Sequence, residues 1–170
     1  LSETAVYFKE RFSIPESLEE IKSTWMDMAR DKYTNKVPLK PGAREFLVWL
    51  RQQGIRTGIA SSNGIELVET VLKAQGIQEY LESVHTCCEV PKGKPAPDIY
   101  LLVAETLGVK PEECLVFEDV PMGILAGKNA GMRVCAVEDT FSASQREEKK
   151  ELADYYIESY DEIPRERMQP

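Results

Sequence analysis

The sequence predicts an α/β fold, a parallel sheet with helices on both faces, preceded by a purely helical segment. Three observations carry this. From residue 43 onward, short apolar runs alternate with longer helical patterns. Four helical patterns close on glycine, at Gly54, Gly76, Gly108 and Gly131. Glycine ends helices because it enters the left-handed region without a Cβ clash. The stretch Val37-Pro38-Leu39-Lys40-Pro41-Gly42 breaks the helical start from the alternation. The expected units are therefore 1–37 and 38–170.

Each element has a local cause. Helices are expected over 2–11 and 16–34, the first opened by Ser2 with Glu3 and the second by Ser17 with Glu19 and Glu20. A helix over 43–53 sets Phe46, Leu47 and Leu50 on one side. A strand at 56–60 and a helix at 65–75 follow, then a short strand at 83–86. A helix over 98–107 leads to a strand at 114–117. Pro121 suits the first turn of a helix over 121–130. A strand at 133–137, a helix at 144–152 and a strand at 155–158 complete a Rossmann-like order. No repeat or low-complexity segment interrupts it.

The 170 residues, 42% hydrophobic and 29% charged, suffice for one core and a small appendage. A net charge of -8 disfavours polyanionic partners, so neither nucleic acid nor a membrane is expected. No apolar run approaches the length of a bilayer span. Cys87, Cys88, Cys114 and Cys135 have no zinc-like spacing, and Cys114 and Cys135 read as buried strand thiols. Reduced cysteines point to a cytoplasmic protein.

The chemistry-bearing residues sit where strands run out: Ser61-Ser62-Asn63, Lys94 between Gly93 and Pro95, and Glu118-Asp119. In open parallel sheets the ligand site lies outside the carboxyl ends of the strands. A hydroxyl and an ammonium hold phosphate oxygens, and carboxylates hold Mg²⁺. Plainer readings compete. Asp119 could cap the helix at Pro121, and Ser61 or Ser62 the helix after Gly64. Lys94 could be an exposed loop lysine, as Lys92 is expected to be. His85 reads as a packed strand residue, and Trp25, Met26 and Met28 as packing residues. The run Arg146-Glu147-Glu148-Lys149-Lys150-Glu151 reads as a solvated helix face.

The stretches Gly58 to Asn63, Gly93 to Tyr100 and Val116 to Ile124, the last continuing through Ala126-Gly127 to Ala130-Gly131, stand in an order and spacing that resemble the haloacid dehalogenase-like superfamily. The resemblance is to its helical-cap branch, which includes the β-phosphoglucomutase-like enzymes. It implies that Ser61 holds a phosphoryl group, with Ser62 and Asn63 beside it. It implies that Lys94 stabilises that group and that Asp119 with Glu118 positions Mg²⁺. It makes 1–37 the C-terminal part of a helical cap and 38–170 an α/β core. The implied activity is a Mg²⁺-dependent phosphatase for a small phosphorylated metabolite such as a sugar phosphate, acting through an aspartyl-phosphate.

One departure is large. The family's first motif, Asp-x-Asp-Gly-Thr on a central first strand, is absent from these residues. That strand would lie between those at 56–60 and 114–117. Leu1 is therefore expected to be internal to a longer protein, whose N-terminal segment is a partner of this chain. The sheet should receive that strand from elsewhere or be split, and the chain alone should be inactive. Two alternatives are a phosphoglucomutase-like mutase and a non-catalytic phosphate- or protein-binding relative. Gly64 stands where some mutase-like members carry a lysine. Arg30 and Lys32 could be cap contacts or solvated surface, so the phosphatase reading is favoured.

Overall fold

Glycine and proline place the boundaries in the computed structural model, which describes residues 2–165. The helices are α1 (Ser2–Phe12), α2 (Leu18–Asn35), α3 (Ala43–Gln52), α4 (Ile65–Gln75), α5 (Asp98–Leu107), α6 (Pro121–Asn129) and α7 (Arg146–Leu152). The strands are β1 (Gly58–Ser61), β2 (Ser83–Thr86), β3 (Leu115–Glu118), β4 (Arg133–Val137) and β5 (Tyr155–Ile157). Gly76 and Gly108 close α4 and α5 at φ 59° and 64°. Ser17 caps α2 in a reciprocal pair with Glu20: each backbone N–H donates to the other's side chain, at 2.8 and 3.2 Å. The opening signal read on Ser2 and Glu3 lies outside the described side chains.

Several boundaries shift by one or two residues from expectation. β1 begins at Gly58 rather than Arg56, with Gly58 opposite Ser83; before it the Arg56 guanidinium donates to the Leu107 carbonyl and the Thr57 hydroxyl to the Tyr80 carbonyl. α7 begins at Arg146 because Ala143–Gln145 form a 3-10 turn. Cys114 falls just before β3, half-buried, and its thiol donates to Lys110 O at 3.3 Å. Cys135 is buried in β4, and burial pushes its thiol up to about 11. All four cysteines are free.

Every strand pairing is parallel. The sheet is in two pieces, β1-β2 and β3-β4-β5. Ile59 stands opposite Val84, and Val116 opposite Val134. No ladder joins β1 to β3 among the described residues. The division falls between the two strands that, by the family resemblance, would flank a further one.

Packing holds the halves together. Ile99, Ala104, Val116, Ile124, Ala126, Val134 and Ala136 form one core, with Ala60 of β1 against it. Each fully buried branched side chain there contributes about 1.5–3 kcal/mol. Val68, Leu72 and Ile77 form a second cluster. Phe46 meets Phe117 edge-on at 5.4 Å and stacks on Tyr160. α1 and α2 form a helical hairpin, with Phe8 edge-on to Trp25 at 5.5 Å, and α2 lies along α4. No described helix is long and apolar enough to cross a membrane.

Gly127 sets how closely α6 lies on the sheet. A Cβ there would stand 2.8 Å from Val134 Cγ2 and 3.4 Å from the Val116 side chain. Gly127→Ala should lose about 1–3 kcal/mol of stability through overpacking. Urea unfolding checks this; an unchanged midpoint would mean that α6 can lift without penalty.

Candidate active site

Strands are parallel within each piece, and Lys94 reaches both Ala60 near the end of β1 and Glu118 at the end of β3, so these two carboxyl ends open on one edge. Glu118 ends β3. Its side chain turns beneath α6 into space that only a glycine leaves: a Cβ on Gly123 would stand 2.2 Å from its carboxylate. There the carboxylate accepts from the Lys94 ammonium and the Tyr100 hydroxyl. Both ionic side chains are nearly buried, 12% exposed for Lys94 and 10% for Glu118. Lys94 also donates to Ala60 O at 3.1 Å and lies 4.9 Å from the Tyr100 ring centre. One ammonium thus touches the end of β1 and the end of β3. Burial and the Glu118 carboxylate push the Tyr100 hydroxyl well above its usual range, so it stays a donor.

Asp119 faces a different way. Its side chain is 38% exposed and lines a cleft of about 160 Å³ with Phe117, Glu118, Val137, Tyr160 and Lys40. Lys40 Nζ stands 3.3 Å from the Asp119 carboxylate, pairs with Asp139 and donates to Glu138 O at 3.2 Å. Lys40 holds the Asp139 carboxyl below its usual range. The Asp119 carbonyl accepts from Ser142 Oγ at 2.6 Å. The capping readings do not hold. Val120 and Gly64 precede α6 and α4, and neither helix has a side-chain cap.

Ser61 Oγ accepts from Asn63 N at 3.1 Å, which leaves the hydroxyl proton free to donate. Ser62 is exposed, with Oγ 3.6 Å from Cys87 Sγ. Asn63 Nδ2 donates to Tyr33 OH of α2 at 3.2 Å. Lys92 is exposed, as expected. His85 is bound by Glu89 and Thr106, at 2.7 and 2.9 Å, and has a structural place in β2. Arg30 pairs with Asp27 at 2.9 Å and lies 3.9 Å from Glu66; Lys32 is exposed on α2. A larger hollow, about 550 Å³, lies between α1 and α2, where Lys9 already donates to Ile14 O.

The solvated-face reading of 146–151 is corrected in part. Lys149 is completely buried, and Arg146 forks onto Glu138 at 2.8 and 3.1 Å. Sequence reading also missed Lys40, Asp139 and Ser142. These contacts reach across as many as 99 positions, so no local pattern signals them. Tyr100 was visible only as part of a stretch; its place in the first turn of the helix that follows the Lys94 loop was the available clue.

A cation suits this edge. Asp119 offers hard oxygens on the cleft, and the Lys40 ammonium already stands between it and Asp139. No group of three or more metal-ligating side chains forms among the described residues, so further ligands would come from phosphate, water or another segment.

Residues 6–131 match the family model described as haloacid dehalogenase-like hydrolase. Hexitol phosphatase B of Escherichia coli (strain K12) is 32% identical over 126 residues, covering 74% of this chain and 56% of that protein. The Drosophila melanogaster protein named "Probable pseudouridine-5'-phosphatase" is 38% identical over 133 residues, covering 71% of this chain and 57% of its own. The chain thus spans little more than half the length of either relative. Crystalline CbbY from Rhodobacter sphaeroides in complex with xylulose-(1,5)bisphosphate superposes with a TM-score of 0.78 at 25% identity, over 88% of this chain and 67% of that one.

Beside the cleft, the Arg146 fork and then the Tyr156 hydroxyl hold Glu138 down at about 2. A depressed carboxyl stabilises the fold fully above its ordinary range, and the contribution fades as pH falls to about 2. In Arg146→Ala the Glu138 midpoint should rise toward the ordinary range, moving the fade to higher pH. Carboxyl ¹³C titration reads this; an unmoved midpoint would assign the depression to Tyr156 and Lys149.

Proposed function

The chain belongs to the haloacid dehalogenase-like hydrolases, and on that premise we propose that it is the core of a Mg²⁺-dependent phosphatase for small phosphorylated metabolites, sugar phosphates among them. The observation that carries this is the Lys94 ammonium, held between Ala60 O and Glu118 on the edge where Ser61 and Asp119 also stand. Residues 1–37 are read as the C-terminal part of a cap, and 38–170 as the core.

The Ser61 hydroxyl donates to a phosphoryl oxygen, and Ser62 and Asn63 lie within the same turn. Lys94 neutralises charge on the phosphoryl group without needing to move, because Glu118 and Tyr100 fix it. Asp119 would hold Mg²⁺, with Glu118 supporting from behind through Lys94. The ion supplies charge neutralisation at the phosphoryl oxygens. The nucleophile is proposed to be an aspartate on a strand entering between β1 and β3, whose facing edges have no ladder partner among the described residues. Its carboxylate oxygen bonds to phosphorus as the ester P–O bond breaks, and the departing alkoxide oxygen takes a proton from water to leave as the alcohol. Water then releases phosphate and restores the carboxylate.

The mutase alternative needs a second cationic site for a bisphosphate. Gly64 supplies no charge, and Arg30 lies between Asp27 and Glu66. The phosphatase names of the two relatives also favour hydrolysis. A non-catalytic relative would bind phosphate on the same edge without the entering strand.

Two outcomes test this. The 170-residue chain alone should give no turnover of p-nitrophenyl phosphate with Mg²⁺. Turnover that Ser61→Ala abolishes would show a nucleophile within these residues and refute the entering strand. Asp119→Ala should weaken Mg²⁺ binding about 10-fold or more by calorimetry, and Lys40→Met should strengthen it by removing a competing cation. Equal affinity in Asp119→Ala would remove that residue from the metal site.

A further inference from the structure

Lys149 is the largest fully buried side chain among the described residues. It lies on α7, behind the edge that carries Asp119. Its Nζ donates to Ser142 Oγ at 3.0 Å and to Val137 O at 3.3 Å, and stands 3.8 Å from the Glu138 carboxylate. Ser142 is itself 2% exposed and donates to Asp119 O at 2.6 Å. A buried ammonium is costly, and its partners here are few and specific.

We propose that Lys149, acting through Ser142, is a positioning residue for the turn that presents Asp119. An ammonium has donors and no acceptor, while a serine hydroxyl has one proton and can also accept. Lys149 therefore takes an acceptor lone pair of Ser142 and leaves its single proton one use, the Asp119 carbonyl. The same ammonium ties Val137, the last residue of β4, so the ends of β3 and β4 are referenced to one atom. From the cleft side Lys40 binds the next carbonyl, Glu138 O, at 3.2 Å. Adjacent carbonyls of an extended chain point apart, so the exit of β4 is held on both sides. The Glu138 carboxylate, fixed by Arg146 and Tyr156, completes the polar surroundings of Lys149. The lysine touches neither substrate nor metal; it sets where the Asp119 backbone stands.

The functional consequence rests on Asp119 being the Mg²⁺ ligand proposed above, whereas the hydrogen-bond relay can be read without metal. The test uses the chain as it is. In Ser142→Ala the ¹³C signal of the Asp119 carbonyl should move upfield as its donor is lost, and amide exchange at Gly123 and Ile124, which both donate to Val120 O, should speed up. Val116 and Val134 in the strands should keep their protection. Lys149→Met should move the same carbonyl in the same direction. The double variant should move it no further than Ser142→Ala alone, because one relay is being cut twice. Ser142→Thr, which keeps the hydroxyl, should restore the wild-type signal. Mg²⁺ affinity should fall about 10-fold in Ser142→Ala, as for loss of a group that orients a ligand.

Additive carbonyl shifts, or an unmoved carbonyl in Ser142→Ala, would overturn the relay. Ser142→Ala carries this test by itself should Lys149→Met fail to fold. A moved carbonyl with unchanged Mg²⁺ affinity overturns the positioning role if Asp119→Ala does weaken Mg²⁺. If Asp119→Ala leaves Mg²⁺ affinity unchanged as well, it is the metal reading of Asp119 that fails, and with it the functional consequence, while the relay stands.

Discussion

The ion pair between Lys94 and Glu118 is the constraint on which the site depends. Two nearly buried charges lose their water, and they are tolerated only with close pairing and further hydrogen bonds. Here Tyr100 and Ala60 O supply those bonds. Gly123 supplies the space, since any side chain there would collide with the Glu118 carboxylate. The pair also does what no backbone ladder does: it connects the end of β1 to the end of β3. The geometry beside Ser61 and that beside Asp119 are therefore linked through one ammonium.

A division of labour between neighbouring carboxylates follows. Glu118 faces inward and is engaged by protein donors; the Asp119 carboxylate faces the cleft and, among the described residues, meets Lys40. Strand alternation explains why two adjacent acids can differ so much. The chain as a whole is acidic, at -8. Its cations at this edge are placed singly, each against a carboxylate, rather than spread as a basic patch. Such an edge suits a small anion held at a few points and repels a long polyanion.

Much of the fold was legible because its punctuation is local. Glycines 76 and 108 end helices for backbone reasons that act over a single turn, and the parallel order follows from the strand–helix rhythm. The position of Ser61, Lys94 and Glu118-Asp119 at strand ends was legible for the same reason. Their orientations were not. Nothing in the order of residues says that Glu118 turns under α6, or that Asp119 leaves α6 uncapped. Lys149 was misjudged because charge composition describes a helix face only on average. One lysine among Arg146, Glu147, Glu148, Lys150 and Glu151 is drawn inward by Val137 and Ser142, residues of other elements.

The seam in the sheet also bears on how the chain finds its fold. Each half is assembled from consecutive segments: β1, α4 and β2 on one side, and β3 through β5 with α6 and α7 on the other. Contacts within a half span short stretches of chain, so little loop entropy opposes them. Contacts between the two ends of the core are far more distant: Lys40 reaches 99 positions to Asp139, and Ser159 reaches 118 back to Pro41. Loop entropy therefore favours each half forming first, with the contacts around Lys40 closing the Asp119 edge last.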